Sequence, residues 1–280
     1  MNIAMLYICT GRYVYFWNNF YNSAQQYFLP NCEKHYFVFS DQPVDLHSNE
    51  NVHYIYQKKL GWPLDTLMRF HMFKSIENKL ASFDYVFFFN ANIVFLQPIN
   101  IDILPTAEEG LLVVRHLGFY NKPINEYTYD RNPYSTAFIP FNTGKDYVQG
   151  SFNGGTSKSY IQMINDLVKN IDLDEDNKVT ALWHDESHLN KYILTHNYKI
   201  LSPAYIYPEG WYSPFEKKVM MLDKNKHGGH DYLRGISNQP IINTISFALK
   251  LKSFKLFLET FLTNKYYTAK QYLKQNTSIK

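Results

Sequence analysis

Cysteine is scarce in this chain: Cys9 and Cys32 are all it has in 280 residues. Two thiols cannot build a disulfide framework, and their spacing is not that of a metal site, so a reducing, cytoplasmic setting is the simpler expectation. Long apolar runs are missing as well. No stretch reaches the roughly 20 residues that a spanning helix needs. The opening run from Met1 to Thr10 is strand-length and has neither a basic flank nor a cleavage site, so it reads as neither signal peptide nor anchor. Charge of one sign is also lacking. The formal net charge is only +3, which gives no footprint for nucleic acid. No internal repeat is visible.

What is present is apolar and aromatic. Hydrophobic residues make up 45%, enough for a full core. Aromatics reach 18%, with 24 Tyr and 21 Phe. Tyr and Trp suit ring-shaped polar ligands because each offers an apolar face and a hydrogen-bonding tip. A coding sequence rich in A and T would give the same bias.

The apolar run from Ile3 to Cys9, followed by Thr10-Gly11, predicts a buried strand and a turn. Aromatics at helical spacing predict a helix over Phe16–Phe28. Tyr36–Phe39 and Val52–Tyr56 read as strands, Thr66–Ala81 as a helix. Tyr85–Phe89 is so apolar that it must be covered on both faces, as in a parallel sheet. Strand and helix in alternation predict an α/β fold with right-handed crossovers. Residues 110 to 215 look less regular, with helical stretches near Ser157–Lys169 and Asp185–Thr195. From Ile241 onward, apolar residues interleave with Lys250, Lys252, Lys255 and Lys265. This basic amphipathic tail would lie on an anionic membrane surface or dock on the core of its own domain.

Four segments can carry chemistry. Asn90-Ala91-Asn92 ends a buried strand, where α/β sheets bind ligands, although a plain turn uses the same residues. Trp183-His184-Asp185-Glu186 sets ionisable groups at a helix start. Neighbouring carboxylates there can take different roles in a cleft, or simply cap the helix. His184 and His188 are four apart, but the pattern of a zinc-protease helix is absent. Gln149 to Gly155 reads as a glycine segment able to approach a ligand closely. Asp223 to His230, with Arg234, is a basic segment fit to close over a diphosphate, or a solvated loop.

Taken in order, these motifs resemble the family 6 retaining glycosyltransferases, which include the blood-group A and B transferases and the α-1,3-galactosyltransferase. The resemblance runs from about Ile8 to Arg234. It rests on Tyr36 to Pro43, His116 to Tyr120, Tyr127 to Arg131, Ser135 to Pro140, Leu201-Ser202-Pro203 and, most closely, Trp183 to Leu194.

That resemblance implies a GT-A fold: a mixed, mainly parallel sheet with flanking helices in residues 1–240. About 1–110 would form the nucleotide-binding half and 111–240 the acceptor and catalytic half, with the tail at 241–280. It implies transfer of Gal or GalNAc from a UDP-sugar, in α-1,3 linkage, to a fucosylated, H-antigen-like galactoside. Ile8, Cys9, Thr10 and Tyr13 would contact uridine. Arg69, His184 and Asp185 would hold the donor, and Lys224 and Arg234 its diphosphate. Gln149 and Ser151 fall where the family sets donor choice; Ser151 is larger than the Gly that admits an acetamido group, which leans toward galactose. His116, Trp183 and Glu186 would meet the acceptor, with Glu186 facing the anomeric carbon. Animal members carry Asp-Xaa-Asp where this chain has Asn90-Ala91-Asn92. Neutral amides are poor ligands for a hard divalent cation. The pattern resembles the bacterial branch of the family and implies an enzyme without a metal or other cofactor. A glycan-binding module without turnover, or a membrane-surface scaffold, are the alternatives.

Overall fold

The computed structural model describes residues 1–43, 50–241, 250–259 and 261–262. Ten strands form, in chain order: β1 (Asn2–Ile8), β2 (Glu33–Ser40), β3 (Val52–Tyr56), β4 (Tyr85–Asn90), β5 (Ile93–Phe95), β6 (Leu111–Arg115), β7 (Val148–Thr156), β8 (Tyr198–Leu201), β9 (Tyr207–Pro208) and β10 (Val219–Met221). Among the described residues up to 241, the α-helices are α1 (Trp17–Tyr27), α2 (Leu64–Leu67), α3 (Arg69–Lys74), α4 (Glu77–Leu80), α5 (Ser157–Asp176), α6 (Asp185–Tyr192) and α7 (Gly229–Leu233).

Seven strands make one sheet in the order β3-β2-β1-β4-β7-β6-β8. Four of its pairings are parallel, and β7 runs antiparallel to both neighbours. The result is the mixed, mainly parallel α/β sheet of the GT-A type. The apolar run of β1 has a simple cause. Ile3, Met5 and Tyr7 enter the core on one face, with α1; Ala4 and Leu6 enter the core on the other, with α3 and α5. In β4, Phe87 and Phe89 go one way, Val86 and Phe88 the other. A strand buried on both faces has no polar side to show.

Two expectations are corrected. Residues 110 to 215 are more regular than expected in part: besides the two helical stretches they supply β6, β7, β8 and β9, while 116–147 hold only short 3-10 turns. The predicted helix Thr66–Ala81 is three short helices. Bonds such as Ile76 N to Phe73 O and Lys79 N to Ile76 O, one residue shorter than the α-helical step, tighten the joints. The glycine segment from Gln149 forms most of β7. Its glycines serve packing: a Cβ on Gly154 would lie 2.1 Å from the Phe87 ring, and one on Gly155 would lie 2.5 Å from the Gly110 carbonyl. The call on residues 241–280 falls mostly outside the described residues. Within it, 250–259 and 261–262 are helical. Among the described residues, no helix is long and apolar enough to cross a membrane.

Candidate active site

Two cavities open along the edge of the sheet where β1 and β4 end. The first, of about 230 Å³, is lined by Ile8, Thr10 and Tyr13 after β1 and by Asn90, Ala91 and Asn92 after β4. Lys59, Trp62, Asp65, Thr66, Arg69, Lys224 and Arg234 complete it. The second, of about 740 Å³, contains His116, Gln149 and Trp211. Because β7 is antiparallel to β4, its beginning reaches the same edge, and Gly150 stands between the two cavities.

Four cations line the smaller cavity: Arg69, Lys224 and Arg234 converge on it, while Lys59 donates through its Nζ to the Arg234 carbonyl at 3.1 Å. The Lys224 ammonium lies 5.2 Å from the centre of the Tyr13 ring, and the Arg234 guanidinium 4.3 Å from that of Trp62. Burial, then the fields of Arg234 and Arg69, push the Lys224 ammonium down to about 8. A cation destabilised by other cations gains most when an anion arrives. The carboxylate in the wall, Asp65, accepts hydrogen bonds from the amides of Leu60 (2.7 Å) and Gly61 (3.1 Å).

Arg69 also organises the chemistry. Its Nη1 lies 2.9 Å from Asp185 Oδ2, both side chains buried, and donates to the Gly150 carbonyl at 2.9 Å. Burial outweighs Arg69 and pushes the Asp185 carboxyl up to about 7. Next in sequence, Glu186 Oε2 accepts from the Gly150 amide at 2.8 Å, and Oε1 accepts from the Tyr147 hydroxyl at 3.1 Å. Burial raises the Glu186 carboxyl too, against those two donors and Arg69. Glu186 therefore sits on the wall between the cavities and lines neither, held by β7 rather than turned to solvent. The backbone just before it is strained: His184 has φ 54 and ψ −125. For a residue with a Cβ that costs of order 1–3 kcal/mol and is characteristic of functional sites. The His184 ring meets the edge of Trp62 at 4.9 Å.

Asn190, one turn on in α6, fixes this geometry. Its Oδ1 accepts from the Val148 amide (3.0 Å), while its Nδ2 donates to the carbonyls of Val148 (2.8 Å) and Glu186 (2.9 Å). An Asn190→Ala variant should cost about 1–3 kcal/mol in urea unfolding, because it strands buried backbone groups of β7. Its turnover should fall as well, since Glu186 loses its register against Gly150.

Most expected site residues come together; some do not. Gln149 and Ser151 share one face of β7, both buried, with Ser151 Oγ donating to Gln149 Oε1 at 2.8 Å. His116 lines the larger cavity. Its Nδ1 accepts from the Gly118 amide at 3.0 Å, and burial pushes the imidazole down to about 4, so it is neutral at pH 7. Cys9 points into the core instead, its thiol pushed up to about 12 by burial. Trp183 is exposed and lines neither cavity. Asn92 works as a bracket: its Nδ2 donates to the Leu222 carbonyl and its own carbonyl accepts from the Leu222 amide, both at 2.7 Å, tying the end of β4 to the segment that carries Lys224. Lys59, Trp62, Tyr147 and Asn190 were missed. Asn190 lies within the Trp183 to Leu194 motif and Tyr147 beside the glycine segment; Lys59 and Trp62 had no signal in the sequence.

A metal fits this place poorly. Asn90 Oδ1 faces Arg69 Nη2 at 3.5 Å, so of the two amides Asn92 alone keeps an uncommitted oxygen, and that oxygen is neutral. A hard divalent cation wants anionic oxygens, and here a guanidinium stands beside the neutral amides. Among the described residues, no group of three or more His, Cys, Asp or Glu is arranged to hold a metal ion.

A cationic cavity beside a second, roomier one at a sheet edge suits an enzyme that takes an anionic donor and a larger acceptor. The model of glycosyltransferase family 6 matches residues 1–234, and the chain belongs to that family. It is 34% identical over 235 residues to the O-antigen biosynthesis glycosyltransferase WbnI of Escherichia coli, covering 84% of this chain and 100% of that protein. It is 29% identical to the rat histo-blood group ABO system transferase 2, over 80% of this chain and 70% of the relative. With the chicken globoside alpha-1,3-N-acetylgalactosaminyltransferase 1 the identity is 27%, over 80% and 68%.

Proposed function

We propose that the protein transfers galactose or N-acetylgalactosamine from a UDP-sugar, with retention and in α-1,3 linkage, to a galactoside acceptor resembling the H antigen, without a metal ion. The observation that carries this reading is the convergence of Arg69, Lys224 and Arg234 on one cavity at the carboxyl ends of β1 and β4. Uridine would lie against Ile8, Thr10 and Tyr13. The buried Asn92 Oδ1 has no hydrogen-bond donor in the protein and can take one from the nucleotide. As the bond from C1 to the diphosphate breaks, negative charge grows on UDP and the three cations stabilise it. Positive charge grows at C1, and Glu186, in the wall beside Gly150, would reach it there, either attacking to form a glycosyl-enzyme or stabilising an oxocarbenium-like sugar. Asp185 and His184 would orient the sugar hydroxyls. The acceptor would enter from the larger cavity, beside neutral His116.

Donor choice leans toward galactose. Gln149 and Ser151 are hydrogen-bonded to each other and buried, which narrows the place where an acetamido group would go. The test is UDP release from UDP-galactose and UDP-N-acetylgalactosamine with H-type and unfucosylated galactosides, all in excess EDTA. The expected result is full activity in EDTA, higher with UDP-galactose. Loss in EDTA with recovery on adding manganese would overturn the metal-free reading.

A further inference from the structure

We propose that the helical residues 250–259 and 261–262 form a docking surface for an anionic lipid bilayer. It lies beyond residue 234, where the family model stops. Its orientation is the informative part. Leu251, Leu258 and Leu262 recur at helical spacing along one face, and that face is turned outward, each residue 40% to 63% exposed; Phe254, at its margin, is 40% exposed and its ring also packs against Tyr212 at 5.2 Å. The opposite side meets the protein: Ser253 is buried, and the Phe257 ring lies 6.2 Å from Tyr212. An ordinary surface helix buries its apolar stripe and shows its polar side. This one turns Leu256 and Phe257 inward yet leaves Leu251, Leu258 and Leu262 outward, so docking on its own core does not account for the outer stripe.

Charge identifies the occupant. Residues 241–280 hold seven lysines and one glutamate, a net +6, whereas the whole chain is only +3; the first 240 residues therefore carry −3. The positive charge is confined to the segment that bears the exposed apolar stripe. Lys250, Lys252 and Lys255 flank the stripe within the helix itself. Apolar residues between lysines match the acyl boundary and headgroups of an anionic leaflet. A second copy of this chain would bring like charges together.

The same helix has a further consequence, which rests on the proposed function. Lys252 and Lys255 also line the larger cavity that holds His116. Docking would place that cavity at the lipid surface, where acceptors carried on lipid are presented.

Co-sedimentation of the full chain with vesicles tests the docking, without donor or acceptor, so its outcome is independent of the transfer reading. Partition onto phosphatidylcholine mixed with phosphatidylglycerol should exceed that onto phosphatidylcholine alone by at least about tenfold at low salt, and salt should weaken it. Combined Leu251→Asp and Leu258→Asp substitutions should lower it at least about tenfold, with far-UV circular dichroism and thermal unfolding unchanged. Equal partition onto both vesicle types, or none, would overturn the proposal. So would a concentration-dependent dimer that the substitutions dissolve, which would make a second copy the occupant of this face.

Discussion

A Glu186→Gln variant is expected to fold normally and to lose at least about 10²-fold in turnover, the usual scale for a principal catalytic group. The amide keeps the shape of the carboxylate. It can still accept from the Gly150 amide through its oxygen, but its nitrogen cannot accept from Tyr147. What it loses is the negative charge that would face the developing cation at C1. Unfolding by urea should shift little, because the site already holds that carboxylate at a burial cost, and the neutral amide escapes it. UDP affinity should be nearly unchanged, since Glu186 does not line the cationic cavity. A folded variant with near-normal turnover would remove Glu186 from the reaction.

Arg69→Met is expected to give the largest stability loss, about 3–5 kcal/mol, from leaving a buried charge without its partner. The loss should depend on pH. The Asp185 carboxyl is already raised to about 7 by burial, with Arg69 pulling the other way. Without Arg69 it rises further. A carboxyl raised in the fold contributes stability when protonated, below its unfolded value near 3.8, and that contribution fades as pH climbs through the folded value. The variant should thus be closer to the parent at pH 5, where Asp185 takes a proton, and furthest from it at pH 8. Urea unfolding at the two pH values measures this. A loss equal at both would mean that Asp185 is not the group left stranded.

The elements that could be read in the sequence are those whose local composition and final environment agree. β1 and β4 are apolar throughout because both faces are covered, and their ends announce the site edge. β7 was hidden for the opposite reason. Gly150, Asn153, Gly154 and Gly155 are poor strand formers, chosen here for what presses on them: the Phe87 ring, the Gly110 carbonyl and, at Gly150, Asp185 Oδ2 at 2.9 Å from where a Cβ would stand. The string from His184 to Glu186 was visible as a motif, and the catalytic role proposed for it came from the family resemblance rather than from spacing. The bonds that aim it could not be seen, because Asn190 and Tyr147 act across α6 and β7, which are far apart in sequence. Cys9 shows the converse. It belongs to the right motif, yet strand alternation turns its thiol into the core while Ile8 and Thr10 face the cavity.

The central claim is that side chains alone hold the diphosphate. Titration calorimetry of UDP and of uridine, in EDTA and at two ionic strengths, measures it directly. The account predicts UDP binding at least about tenfold tighter than uridine, with the gap narrowing as salt rises. Equal affinities in EDTA, with UDP gaining only when manganese is supplied, would contradict it.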